Sequence, residues 1–336
     1  MKTTAGQTGL AGSDLRRLPV AVAPRAEQER IVAAIEEAFS KLDAGEAGLR
    51  TVRQRLKRMR DAILTAAVTG RLVPQDPTDT PATKLLADLG TQAFPSELLA
   101  TVPPTWAPTT LGDVAAMSLG KMLDAKAQSG EHPKRYLRNI NVRWDSFDLS
   151  DLAFMDIRPE EFDRVAVTDG DLVVCEGGQP GRCAVWRGEP IAIQKALHRV
   201  RPKHGVSGAY LFLVVRWWVT RPEYERFITG TTIKHIPKEK LRLLPVPLPP
   251  SEEQARIVTE VERQLSFVDA CERAVDAGLA RSAALRRSVL KAAFEGRLVP
   301  QDPSDEPASV LLERIRAERA AAPGQQGKRR KKAEAS

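Results

Sequence analysis

The chain has 336 residues, 42% of them hydrophobic and 28% charged, enough for one large domain with extended elements or for two domains. Its net charge of +8 suits a polyanionic partner, although the run Lys328-Arg329-Arg330-Lys331-Lys332 supplies part of that excess. Cys175, Cys183 and Cys271 lack CxxC spacing and the four histidines offer no partner pattern, which argues against a disulfide framework or a zinc site.

No signal peptide is visible at the start. The longest apolar run, Tyr210 to Val219, is interrupted by Arg216 and is too short to span a bilayer. A cytoplasmic protein with no membrane partner is the expectation.

In chain order, the first informative segment is Leu18 to Pro24, a proline-rich, strand-like lead-in that cannot be helical. A long helix is expected to follow over 25–70. Ile35, Leu42, Leu49, Leu56 and Ile63 fall seven apart, and Ala38, Gly45, Val52, Met59 and Ala66 occupy the intermediate positions. That is the spacing of a coiled-coil seam. Gly70 stands where a helix C-terminus takes glycine, and roughly 43 residues would make a helix about 65 Å long.

The whole segment recurs without a gap at an offset of 226. Leu18-Pro19-Val20 returns as Leu244-Pro245-Val246, and Gly70 to Pro77 returns letter for letter as Gly296 to Pro303. A repeat of this kind sets the architecture before any local reading does. In the second copy Ser251 with Glu252 and Glu253 reads as a helix start. Val261, Val268, Val275 and Val289 hold the first seam series, with Ser282 the exception; Leu285 and Cys271 belong to the second. The pairing residues are therefore expected to be Ile35, Leu42, Leu49, Val52, Leu56, Met59 and Ile63 on one helix, and Val261, Val268, Val275, Leu285 and Val289 on the other. The bland alternative is that each helix simply packs on its own domain.

Between the copies, from about Pro103 to Glu239, the heptads vanish and the aromatics concentrate. Strands are expected over Tyr136 to Val142, Val165 to Val167, Asp171 to Cys175, Arg182 to Trp186, and Ile191 to Gln194 continuing to Val200, with turns at Asp169-Gly170 and Gly177 to Gly181. An amphipathic helix over Gly208 to Ile228 would cover the sheet. The fold class is therefore α+β, with one α+β domain flanked by two long coiled-coil helices.

Polar and basic residues gather at the predicted loops and strand ends of this domain: Lys121; Arg138, Asn139, Asn141 and Arg143; Gln179 and Arg182; Gln194 and Lys195; Thr231, Thr232, Lys234 and His235. Arg, Lys, Asn and Gln can make paired contacts to purine edges in the major groove, and Lys and Thr can hold phosphates. Any one of them could equally be a solvated surface side chain. His198 and His204 read as structural. The Gly-Gly-Gln-Pro-Gly turn lacks the spacing of a phosphate-binding loop. No methyltransfer motif of the form Asn/Asp-Pro-Pro-Tyr/Phe and no cofactor-binding glycine loop is visible, so no catalytic centre is expected.

Several of these segments together resemble the specificity subunits of Type I restriction–modification systems. They are Pro245 to Val258, the Gly-Arg-Leu-Val-Pro-Gln-Asp-Pro run closing each helix, Tyr136 to Val142, Gly170 to Val173, and Gly177-Gly178. The resemblance covers nearly the whole chain to about Arg319. It implies a non-catalytic protein whose target-recognition domains each read half of a bipartite double-stranded DNA site. It also implies two helices that pair antiparallel, set the half-site spacing and dock methyltransferase subunits, with a motor-nuclease subunit joining for cleavage. S-adenosylmethionine then belongs to the methyltransferase, and the chain itself needs no cofactor.

One departure is plain: only a single complete recognition domain is present. The expected division is 1–24 as the end of a first such domain, 25–90 as spacer copy one, 100–250 as the recognition domain, 251–320 as spacer copy two, and 321–336 as a disordered basic tail. A self-dimer or a second recognition chain would then supply the other half-site reader. Two other readings are a coiled-coil adaptor that binds only proteins, and an enzyme with a built-in recognition domain.

Overall fold

The computed structural model describes residues 2–4, 7–9, 17–94, 99, 102–124 and 130–321. The tail beyond residue 321, and most of the first 16 residues, lie outside them. The chain divides into two compact units, one made of residues 1–54 with 272–336, the other of residues 55–271. The mixed α and β composition and the two long helices agree with the expected fold class.

β1 (Lys2–Thr4) and β2 (Gln7–Gly9) pair antiparallel. The first long helix, α1, covers Arg25–Val68, and the last long one, α7, covers Ser251–Phe294. Both end as the glycines predict. Gly70 and Gly296 adopt φ of 70° and 64°, and the following amide reaches back five residues, from Arg71 to the Ala66 carbonyl at 2.9 Å and from Arg297 to the Ala292 carbonyl at 2.8 Å. Each is followed by a short loop and a further helix, α2 (Ala82–Asp88) and α8 (Ala308–Ala321).

Within the first unit the long helices run antiparallel. Arg286 pairs with Asp43 and Glu46, Ser282 donates to Glu46 at 2.7 Å, and Arg53 pairs with Asp276. Within the second, Arg60 pairs with Asp269. The Arg60–Asp269 and Arg286–Asp43 pairs occupy the same two repeat positions with the copies exchanged. The same holds for Arg30–Asp305 and Arg256–Asp79, each joining a helix start to the turn beyond the other helix.

The seam needs one correction. Leu56, Ile63, Val261, Val268 and Val275 are buried, with Ser282 in the same row, and Ile35, Leu42, Leu49 and Val289 are half-buried. Val52, Met59 and Leu285 are exposed. The intermediate row is carried one residue later, by Glu46, Arg53 and Arg60, whose side chains make the cross-helix ion pairs. The helices thus meet along one apolar row flanked by a charged one. A strict seam of two apolar rows would have buried Val52 and Met59 instead.

The second unit contains the intervening domain. β3 (Ala107–Thr110), α3 (Leu111–Val114) and β4 (Ala115–Leu119) open it. There follow β5 (Pro133–Leu137), a 3-10 turn at Asn139–Asn141, the two-residue strands β6 (Val142–Arg143) and β7 (Ser146–Phe147), and β8 (Ala153–Asp156). After α4 (Pro159–Val165) come β9 (Ala166–Val167), β10 (Leu172–Cys175), β11 (Cys183–Val185), β12 (Ile191–Ile193) and β13 (Leu197–Pro202). One sheet has the order β11-β10-β13-β4, the other β8-β5-β12-β9. Only β12 and β5 pair in parallel among these strands. Leu137, Val173, Ile193 and Leu197 sit in one apolar cluster with Trp186, and Tyr136, Met155 and Ile157 in another.

Three sequence expectations change here. Ile191 to Val200 is two strands in different sheets, broken at Gln194–Ala196, where the chain turns from one sheet to the other. Asn139 and Asn141 sit in a 3-10 turn rather than on a strand. The covering helix, α5 (Gly208–Val219), is shorter than expected, and Pro222 opens a separate 3-10 segment to Phe227, as a proline with no backbone N–H dictates.

The domain is fastened to its own helices. After α6 (Lys238–Arg242), β14 (Pro245–Leu248) pairs antiparallel with β3. The Trp218 indole donates to the Pro245 carbonyl at 2.8 Å, and the Tyr210 hydroxyl to that of Pro247. Glu253, buried in the first turn of α7, accepts from the Trp106 indole at 2.9 Å and from the Gln75 amide at 2.5 Å. Burial pushes its carboxyl above the ordinary range. Trp217 reaches Thr65 of α1 at 3.3 Å. Each fully buried large side chain here contributes about 1.5–3 kcal/mol, so α5 with its two tryptophans is the main anchor.

The segment Leu18 to Pro24 makes no strand. Its counterpart in the second copy is a strand because β3 lies beside it; among the described residues no strand pairs with the first.

Candidate nucleic-acid interface

Five loops of the intervening domain are tied together at one end. The Lys121 amide donates to the Ile193 carbonyl at 2.9 Å, and the Lys195 amide to the Lys121 carbonyl at 2.9 Å. The Gln194 amide donates to Leu137, next to Arg138, at 2.9 Å, and the Glu176 amide to Ala196 at 3.0 Å. The Asn139 amide group donates to the Gly177 carbonyl at 2.7 Å, and Gly177 bridges to His235. Loops 120–124, 138–141, 176–182, 194–196 and 229–235 therefore form one continuous edge.

The predicted contact residues fall into three groups on this edge. Gln179, Lys195, Thr231 and Thr232 are exposed, and Gln194 is half-exposed at the turn between the sheets. Among the described residues Lys195 has no ion-pair partner. These five have side chains available to a ligand.

The second group is exposed or half-exposed but neutralised. Lys121 donates to Glu161 at 2.6 Å, Arg138 to the Asp151 carboxylate at 2.8 Å, Lys234 to Glu225 at 2.9 Å, and Arg143 to Asp148 at 3.4 Å. The Lys121 ammonium, with Arg158 beside it, holds the Glu161 carboxyl down at about 2. A phosphate approaching any of these cations must compete with a carboxylate already in place. Arg143 lies on β6, away from the five joined loops.

The third group is turned inward, and here the sequence expectation is corrected. Asn141 is buried; it accepts from the Arg138 amide at 2.9 Å and donates to the Asp148 and Asp151 carbonyls at 2.9 and 3.0 Å. Arg182 donates to both oxygens of Asn139, at 2.7 and 3.0 Å. Asn141 is used up holding the loops, because a buried polar group must be paired locally, while the half-buried Asn139 and Arg182 spend part of their hydrogen-bonding capacity there. His235 is half-buried and closes its own hairpin against Thr229 at 3.0 Å. His198 is buried as a structural residue, its Nε2 at 2.9 Å from the Ile236 carbonyl, and burial lowers its pKa.

Sequence reasoning missed the carboxylates Asp151, Glu161 and Glu225, which lie 9 to 40 residues from their cations. It also passed over the exposed apolar side chains Met122, Leu123, Ile140 and Ile233 on the same loops. Among the described residues, no cluster of His, Cys, Asp and Glu could hold a metal ion, and no helix is long and apolar enough to cross a membrane.

Residues 103–266 match the family model described as a Type I restriction modification DNA specificity domain. The specificity subunit of the Type I restriction enzyme EcoBI of Escherichia coli is 29% identical over 326 residues, covering 92% of this chain and 66% of its own length. That of EcoKI from Escherichia coli strain K12 is 27% identical over 337 residues, covering 96% and 68%. Among solved structures, the HsdS subunit from Thermoanaerobacter tengcongensis superposes with a TM-score of 0.52 at 20% identity, over 88% of this chain and 65% of that one. A chain from a type I R-M system gives 0.55 at 22% identity, over 81% and 60%; these two likenesses concern the fold. The chain spans about two thirds of the length of these relatives. Residues 103–266 thus match that family, and along nearly its whole length the chain is similar to specificity subunits of Type I restriction enzymes.

Proposed function

We propose that the chain is the non-catalytic DNA-recognition subunit of a Type I restriction–modification complex. Its domain reads one half-site of a bipartite double-stranded target through the five-loop edge. The paired helices set the half-site spacing and dock methyltransferase subunits, and a motor-nuclease subunit joins for cleavage. Methylation chemistry and S-adenosylmethionine belong to the methyltransferase.

The observation that carries this reading is the edge itself: Gln179, Gln194, Lys195, Thr231 and Thr232 meet there from three loops distant in sequence. A protein-only adaptor has no need of such a constellation. A second recognition domain fits the apolar segment Leu18 to Val22, which stands uncovered where its counterpart pairs with β3. A separate recognition chain suits that role better than a self-dimer, since each copy would bring one domain already engaged with its own helices.

Gel shifts of the full chain across a salt series test the proposal. A sequence preference should survive after phosphate attraction is screened. Lys195→Ala should flatten the log–log salt slope by about 0.9, the value for one lost phosphate contact. Glu161→Gln, which frees Lys121, should steepen it by up to about the same amount. Because Glu161 is held at about 2, its pairing is present above the ordinary carboxylate range and lost only as pH falls towards 2. Moving from pH 7 to pH 5 should therefore not mimic the Gln variant. Binding that vanishes uniformly with salt, with no preferred sequence, would reject the proposal.

A further inference from the structure

We propose that Ile233 is a base-reading residue whose apolar tip contacts the C5-methyl group of a thymine in the major groove. The inference rests on the DNA-recognition reading above and adds a residue and a chemical target to it.

Ile233 is 75% exposed, more than any other large hydrophobic side chain among the described residues. A single exposed isoleucine is ordinary by itself. This one sits on the returning arm of a closed hairpin, Thr229 to His235, opposite Gly230. The Thr229 and His235 amides donate to each other's carbonyls at 2.8 and 2.9 Å, and the Thr229 hydroxyl meets His235 Nε2 at 3.0 Å. Gly230, with φ of 87°, lets the chain fold back so tightly that a Cβ there would lie 2.2 Å from the Ile233 carbonyl oxygen. The base of the hairpin is pinned to the Gly177 turn through His235. An apolar group held out on a pre-ordered loop can be buried against a ligand with little further loss of freedom.

The shape of the hairpin selects the groove. Its two backbone arms are about 4.8 Å apart between chain axes, so that with side chains added the hairpin is too wide for a minor groove of about 6 Å but fits a major groove of about 12 Å. In the major groove thymine presents a methyl group, the apolar feature that marks it there. Thr231 and Thr232, exposed on the same hairpin, are placed to hold flanking phosphates, and Lys234 is engaged with Glu225. Met122, Leu123 and Ile140, exposed on neighbouring loops, extend the apolar character of this edge.

The test uses the full chain and its preferred DNA, with each thymine replaced in turn by uracil, which removes only the methyl group. The unaltered protein should discriminate thymine from uracil at one position, on the order of tenfold, as a lost base contact typically costs. Ile233→Ala and Ile233→Ser should abolish that discrimination and leave the salt slope unchanged. The proposal is overturned if both variants keep the discrimination, or if the unaltered protein prefers a sequence yet distinguishes thymine from uracil nowhere. If the unaltered protein shows no sequence preference at all, the DNA-recognition reading falls first and this inference with it.

Discussion

The two repeat copies share nearly the same sequence at the helix lead-in and the helix end, yet they meet different surroundings. Leu244, Val246 and Leu248 are fully buried, while their counterparts Leu18, Val20 and Val22 are 56%, 66% and 40% exposed. At the helix ends Val68 is buried and Phe294 is 71% exposed. An added Cβ at Gly70 would strike Pro103 at 2.2 Å, whereas at Gly296 its nearest neighbour is Gln301 at 3.6 Å. The contacts intrinsic to the repeat survive in both copies, as Arg30–Asp305 and Arg256–Asp79 show. Helix pairing and domain docking are therefore separable properties of one sequence, and the second copy displays what the first is shaped to receive.

The largest effect should come from placing a charge in the docked lead-in. Val246→Asp puts an unpaired carboxylate between β3 and the core and should cost about 4 kcal/mol or more, or prevent folding of the recognition domain. Val20→Asp, at the matching position, should change the stability of the chain by no more than about 0.5 kcal/mol. Denaturant midpoints with unchanged slope would report this. Equal losses at both sites would show that the first copy is covered after all.

Much of this contrast was within reach of the sequence. The offset of 226, the glycines closing both long helices and the second proline-rich lead-in are local or repeated signals that led to the right elements, whereas the first lead-in forms no strand. What stayed hidden depended on partners far along the chain. Val52 and Met59 fit a heptad by apolarity, but the neighbouring charged row Glu46, Arg53 and Arg60 flanks the apolar one and makes the cross-helix ion pairs, because Arg286, Asp276 and Asp269 stand opposite. Asn139 and Arg182 looked like base readers, but they satisfy each other across 43 residues. Gln194 and Lys195 were placed on a strand, although a turn between two sheets exposes them better. Residue types pointed to the loops that the fold joins into one edge; only the folded pairing could say which side chains remain available on it.

A second contrast lies at the glycines. Gly70→Ala should cost the left-handed penalty of about 1–2 kcal/mol and, in addition, about 1–3 kcal/mol for the clash with Pro103. Gly296→Ala should carry the first term alone. Differential melting of the two variants measures the clash directly, since the backbone conformation is common to both.

The smallest effect is the one that should not differ. Asp79→Asn and Asp305→Asn each remove the charge that holds an arginine of the other copy, Arg256 or Arg30, whose side chains are similarly exposed. Such half-exposed bidentate pairs are worth about 1 kcal/mol, and the two losses should agree within about 0.5 kcal/mol. Agreement would mean that the repeat folds on its own terms in both copies, with docking added to one. A markedly larger loss at Asp79 would mean that the recognition domain, through Gln75 and Glu253 next to that turn, stiffens its own copy of the spacer, and that helix pairing and docking are coupled there.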